Sequence, residues 1–226
     1  DHLRARLPLD ITIDNDANAA GWAEYRFGAG RTVSDMTMLT IGTGVGGAIV
    51  SRGSLFRGGF GAGAELGHLR IVPDGLPCGC GAHGCIEQYG SGRALLRMAN
   101  EIADVGGIGL ALADARREHG QLDGSIVGAL IADGDPGAVH ALEQLGNWLG
   151  QACASLSAVL DPELFVFGGG VAVAGELLLA PVREAYRQHV PAKGYHPEPN
   201  FVIAELVNNA GVVGAADLAR IHSRAR

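Results

Sequence analysis

The chain holds one lysine, Lys193, among its 17 basic residues, and it contains no GxxxxGK[ST] run. A P-loop NTPase, which reaches its phosphates with a lysine from such a loop, is therefore excluded. Basic charge is scarce overall. Against those 17 Lys and Arg stand 24 Asp and Glu, a formal net charge of −7. A general nucleic-acid binder needs clustered positive charge, so that class is excluded as well. No apolar run is continuous enough to span a membrane. The longest, residues 164–182, contains three consecutive glycines and Glu176, and reads as strand, turn and helix. There are four cysteines, three of them within eight residues. That clustering suits a metal better than a disulfide framework, and the expected compartment is the cytoplasm. No secretory or targeting pattern is read at Asp1-His2-Leu3-Arg4, and no repeat or low-complexity linker follows.

What the chain does have is glycine, 36 of 226 residues. With no collagen-like period, the excess belongs in turns and in loops where backbone meets a ligand. Hydrophobic residues at 47% and charged residues at 18% describe a globular protein with room for a sizeable core. Alternation over Leu7–Ile13 predicts a strand, and a helix follows over Ala17–Phe27 with Asn15 or Asp16 as its cap. Met36–Ile41, Val45–Val50 and Ser54–Arg57 read as short strands joined by glycine-rich turns. Ser91 is placed to cap a helix to about Asp104. Asp135-Pro136 is a cap with proline at the first helical position. The helix it opens runs to about Leu160 and buries Val139, Leu142, Leu145, Leu149, Ala152, Leu156 and Val159. Leu164–Phe167 and Phe201–Leu206 read as strands, Glu176–His189 and Gly211–Arg220 as helices. Strands alternating with helices in the second half make the class α/β.

Cys78-Gly79-Cys80-Gly81-Ala82-His83-Gly84-Cys85 is the most specific chemical signal. Thiolates bind Zn²⁺ tetrahedrally at about 2.3 Å, and three sulfurs converge only in a tight turn. His68 and His83 are the candidates for a fourth ligand. Cys153, on the apolar side of a long helix, reads as ordinary core.

Asp14-Asn15-Asp16-Ala17-Asn18 joins a strand to a helix. Asp16 there suits either helix capping or acceptance of a proton from a substrate hydroxyl. Gly42-Thr43-Gly44 lies between two strands and reads as a phosphate-facing loop or a tight hairpin. Gly168-Gly169-Gly170, between strand and helix, suits close approach of a nucleotide. Glu65, His68 and Glu87 flank the cysteines, and carboxylates paired with an imidazole suit the hydroxyls of a polyol.

Together these motifs resemble the ROK family (repressors, open reading frames and sugar kinases), and within it the actinobacterial-type glucokinases. The likeness rests on Asn15–Ala20, Gly42–Gly47, Glu65-Leu66-Gly67-His68, the cysteine cluster with Glu87-Gln88-Tyr89, Gly168–Gly170 and Ala210–Ala216. It implies an actin-like ATPase (ribonuclease H-like) fold, transfer of the γ-phosphoryl group of ATP to the 6-hydroxyl of glucose, Mg²⁺ with the ATP, and a homodimer or homotetramer. By the same resemblance Asp16 is the catalytic base. Asn15, Glu65, His68 and Glu87 hold the sugar. Gly42, Thr43 and Gly44 contact phosphates, and Gly168, Gly169 and Gly170 the adenosine half. A structural Zn²⁺ is held by His68, Cys78, Cys80 and Cys85.

Two departures from the family's pattern stand out. Asp14 occupies the usual place of a glutamate, and the family's DxGGTK-like first phosphate loop is not in these residues. Residues 1–13 are thus expected to be the last strand of an N-terminal α/β domain. Residues 14–226 are expected to be the large C-terminal domain, with its zinc turn over 68–85 and a final helix, 211–222, packing back toward the other domain. The chain is expected to be a piece of a longer enzyme that does not phosphorylate sugar at a normal rate by itself. Another ROK hexose or N-acetylhexosamine kinase, polyphosphate as donor, and a sugar-responsive repressor are the alternative readings.

Overall fold

A computed structural model describes residues 2, 3, 6, 7, 9 and 11–224. The first regular element is α1 (Asp16–Phe27). It begins where it does because Asn15, in extended backbone, turns its side-chain oxygen onto the N–H groups of Ala17 and Asn18 at 2.8 and 3.2 Å. A meander follows: β1 (Met36–Ile41), β2 (Val45–Ser51) and the two-residue β3 (Ser54–Leu55). Next come α2 (Glu87–Gly90), α3 (Gly92–Val105), α4 (Leu110–His119), α5 (Gly124–Ala132) and α6 (Pro136–Leu160). Then β4 (Leu164–Gly168), α7 (Glu176–His189), β5 (Asn200–Ile203) and α8 (Ala210–Arg224) complete the chain. Ser91 and Asp135 cap α3 and α6 through the N–H groups of Ala94 and Ala138.

The strands form one sheet in the order β3-β2-β1-β4-β5. β1, β2 and β3 pair antiparallel, while β4 runs parallel to β1 and β5 parallel to β4. Both faces are covered, because successive side chains of a strand point to opposite sides. Met36 and Met38 of β1 join Leu164 and Val166 of β4 under Trp22 of α1 and Leu218 of α8. Leu39 and Ile41 join Phe165 and Phe167 in the larger core against α3, α6 and α7. α8 crosses α1 so closely that a Cβ on Gly214 would fall on the Ala19 carbonyl. Trp22 Nε1 donates to Asp217 at 2.9 Å across the same crossing. Among the described residues no helix is long and apolar enough to cross a membrane.

Several sequence expectations need correction. Pro8 and Asp10 of the expected strand at 7–13 lie outside the described residues, and the described ones are not in a strand. Alternation supplies a face, but none of the five strands of the sheet lies beside them to complete a ladder. Ser54–Arg57 shrinks to Ser54–Leu55. Phe201–Leu206 ends at Ile203, because the N–H groups of Glu205 and Leu206 turn away to the carboxylate of Glu24, at 3.1 and 2.7 Å. Val159 is 81% exposed, since the last turn of α6 runs past the core that its middle fills. α4 and α5 were not foreseen.

Candidate functional site

The cysteine turn is folded back on the segment before it. Gly84 O accepts from the N–H groups of Ile71 and Val72, and Cys78 N donates to Ala82 O at 2.8 Å. This brings Cys78, Cys80 and Cys85 to His68, which ends the short 3₁₀ turn Leu66–His68. One donor atom from each of the four lies within 4.8 Å of the others. Cys78 Sγ is 3.7 Å from His68 Nδ1, and Cys80 Sγ is 3.7 Å from Cys85 Sγ. A tetrahedron with Zn–S bonds of about 2.3 Å has edges of about 3.8 Å, so the donor set fits such an ion. His83 is not in the set. Burial pushes the Cys78 thiol up, but hydrogen bonds from the Cys80 backbone and thiol, from Cys85 and from Gln88 outweigh it and bring it down to about 7. Burial and the neighbouring thiols push Cys85 up to about 12. A divalent cation held by these four side chains would favour the thiolate forms.

The carboxylates adjoin this turn. Glu65 Oε1 accepts from Asn15 Nδ2 at 3.4 Å, tying the start of α1 to the residue that opens the His68 turn. Glu87, two residues past Cys85, places Oε1 4.0 Å from Cys78 Sγ. Its Oε2 accepts from Val45 N at 3.3 Å and lies where a Cβ on Gly44 would stand. Asp14 does not face this group. It takes both Nε and an Nη of Arg57, at 3.0 and 2.6 Å, together with Asn18 Nδ2 and the Asn15 N–H. Burial works to raise its pKa, but these donors hold it below the ordinary value. Asp16 is exposed at the first position of α1. One of its oxygens accepts from Ala17 N at 2.8 Å, and the other has no partner among the described residues.

A cavity of about 760 Å³ lies on the other side of the Gly42–Val45 loop and is in the range of small-molecule sites. Gly42 and Thr43 line it, as do Gly170 and Val171 after β4, Gly92 and Arg93 at the start of α3, and Gly124, Ser125 and Gly128 of α5. Its apolar wall includes Ile41, Ile131 and Leu142. Of the six glycine-loop residues expected here, Gly42, Thr43 and Gly170 line the cavity; Gly44, Gly168 and Gly169 do not. Gly44 faces Glu87, Gly168 belongs to β4, and Gly169 (φ +86°) presses on the Ile41 carbonyl, where a Cβ would stand 2.5 Å away. Asn15, Asp16, Glu65, His68 and Glu87 are also outside the lining. The loop therefore separates a polar, carboxylate-rich surface from a largely apolar cleft. The sequence reading missed the α5 wall and Arg93. Asp123, which caps α5 through the Ser125 and Ile126 N–H groups, was the available signal for the first.

Known proteins match most of the chain. The model of the ROK family matches residues 1–222. A glucokinase of Streptomyces coelicolor is 42% identical over 222 residues, covering 96% of this chain and 69% of the relative. A glucokinase of Halalkalibacterium halodurans is 37% identical over 225 residues, covering 97% and 66%. Among solved structures, a ROK family glucokinase from Streptomyces griseus in complex with glucose and AMPPNP superposes with a TM-score of 0.89. It is 43% identical, with 97% of this chain and 71% of that one covered. The fold is accordingly the actin-like ATPase fold, whose sheet here has three antiparallel strands and two parallel ones.

Proposed function

The chain belongs to the ROK family, and on that premise we propose that it serves a glucokinase, carrying the γ-phosphoryl group of ATP to the 6-hydroxyl of glucose. The observation that carries this reading is the juxtaposition just described. The carboxylates of Glu65 and Glu87, suited to sugar hydroxyls, stand on one side of a glycine loop, and a cleft of small-molecule size stands on the other.

Phosphoryl transfer passes through a loose transition state, so positioning and charge neutralisation dominate the catalysis. In this reading Asn15, Glu65, His68 and Glu87 orient the sugar. Asp16, with one carboxylate oxygen unengaged, accepts the proton of the 6-hydroxyl as the oxygen attacks. Gly42 and Thr43 face the phosphates, and Gly170 and Val171 flank the adenosine end. Gly44 serves by leaving room for Glu87. Gly168 and Gly169 set the course of the backbone after β4. Mg²⁺ bound with the ATP would supply the positive charge that the phosphates need. His68, Cys78, Cys80 and Cys85 would hold a structural Zn²⁺, which fixes the turn bearing Glu87 and takes no part in the chemistry. The reduced thiols this requires fit a cytoplasmic setting. A homodimer or homotetramer belongs to the same reading.

Asp16→Asn tests the assignment. Measured in the full-length parent enzyme, turnover is expected to fall by roughly 10²- to 10⁴-fold while glucose still binds. Retained turnover overturns the role of Asp16. Absence of any glucose binding by the unsubstituted protein overturns the reading as a whole.

A further inference from the structure

Among the described residues lining the cavity, Arg93 bears the only formal charge. The other polar contributions there are backbone groups and the hydroxyls of Thr43 and Ser125. A nucleotide polyphosphate entering the cleft of a chain with net charge −7 meets no other side-chain cation on its walls. Arg93 is also held in place. Its Nε donates to Thr43 O at 3.0 Å, and one Nη donates to Glu87 Oε1 at 3.3 Å. Gly92, its neighbour, donates its N–H to Gly42 O at 2.8 Å. The guanidinium is thus fastened to the loop that faces the phosphates. Its side chain remains 63% exposed, with the other Nη free to donate.

On the reading of the cleft as a nucleotide site, we infer that Arg93 is the residue that selects a polyphosphate-bearing nucleotide over the bare nucleoside. The planar guanidinium fork suits phosphate oxygens, and charge-assisted hydrogen bonds of this kind are stronger than neutral ones. The single contact to Glu87 is long and lies at an exposed guanidinium, so it is a weak pair that a phosphate can displace. Displacement leaves Glu87 with its Val45 bond and with Cys78 Sγ 4.0 Å from Oε1, and opens the guanidinium's side of Oε1 to a sugar hydroxyl. Arg93 therefore also links occupancy of the cleft to the carboxylate beyond the loop.

The test is calorimetric titration of the wild-type chain and of Arg93→Gln and Arg93→Lys with Mg·ATP and with adenosine, at low and high salt. The wild-type chain is expected to bind ATP more tightly than adenosine, with the ATP affinity falling as salt rises. Arg93→Gln is expected to weaken ATP by about 10- to 100-fold and to leave adenosine within about twofold. Arg93→Lys is expected to recover part of the ATP affinity, since it keeps the charge and loses the fork. Equal weakening of ATP and adenosine in Arg93→Gln means that the side chain merely props up the loop, and overturns the inference. Unchanged ATP affinity overturns it as well. If the wild-type chain binds neither, the nucleotide reading of the cleft itself falls, and the inference with it.

Discussion

Glu87 rests on Gly44: the carboxylate oxygen that accepts the Val45 N–H fills the space a side chain at position 44 would need. Gly44→Ala should therefore swing Glu87 away from Val45 and from Arg93 without touching either core. We expect the glucose dissociation constant to rise by about tenfold, with far-UV circular dichroism and melting temperature close to wild type. Unaltered glucose affinity would show that the sugar does not use Glu87 in this position.

Metal removal should loosen the same carboxylate from the other side. Elemental analysis is expected to find about one Zn²⁺ per chain. Dialysis against a chelator, or Cys85→Ser, should lower the melting temperature by roughly 5 °C or more, because binding free energy at such a site is folding free energy. A protein without metal that melts at the same temperature with and without chelator sinks the zinc assignment.

Acid should act through Asp217. Burial works to raise its pKa, but hydrogen bonds from Arg220 and from Trp22 Nε1, with Arg26 nearby, hold it below the ordinary 3.8. The folded state binds this proton less readily than the unfolded one. The stabilisation is therefore complete above about pH 4 and is lost as pH falls through the lowered folded value. Asp217→Asn should cost about 1–2 kcal/mol at pH 7 and flatten the loss of stability below pH 4. Urea unfolding across that range checks both; parallel pH profiles for the two proteins would remove Asp217 from the account.

Glu24 is fully buried and accepts from the N–H groups of Ala29, Glu205 and Leu206 at 3.0, 3.1 and 2.7 Å. It joins the end of α1 to the chain leaving β5. Glu24→Gln turns an amide N–H₂ toward some of those donors and should cost about 2–4 kcal/mol in urea unfolding. A loss within experimental error would mean that solvent reaches these groups.

Much of this architecture could be read from local chemistry. Asn15, Ser91 and Asp135 announce their helices because a short side-chain oxygen satisfies N–H groups that the helix cannot. The cysteine spacing announces its cluster because few other uses bring three thiols so close. Other parts depend on partners that no local pattern shows. In α4 only Leu112 is buried, and α5 is apolar almost all round, so neither displays a clean stripe. Yet α5 supplies a wall of the cleft. Residues 7–13 alternate like a strand, but alternation cannot supply a neighbour. The place of Arg93 exists only because the chain brings the start of α3 against the Gly42–Thr43 loop, fifty positions earlier.

Thr40 of β1 stands opposite Gly168 of β4 in a parallel ladder, and each strand delivers its loop to the cavity just beyond that rung. Two lips of the cleft therefore start from neighbouring strands of one sheet. The facing walls come from α3 and α5, outside that sheet, so changes that stiffen those helices should slow exchange of a bound molecule more than changes within the strands.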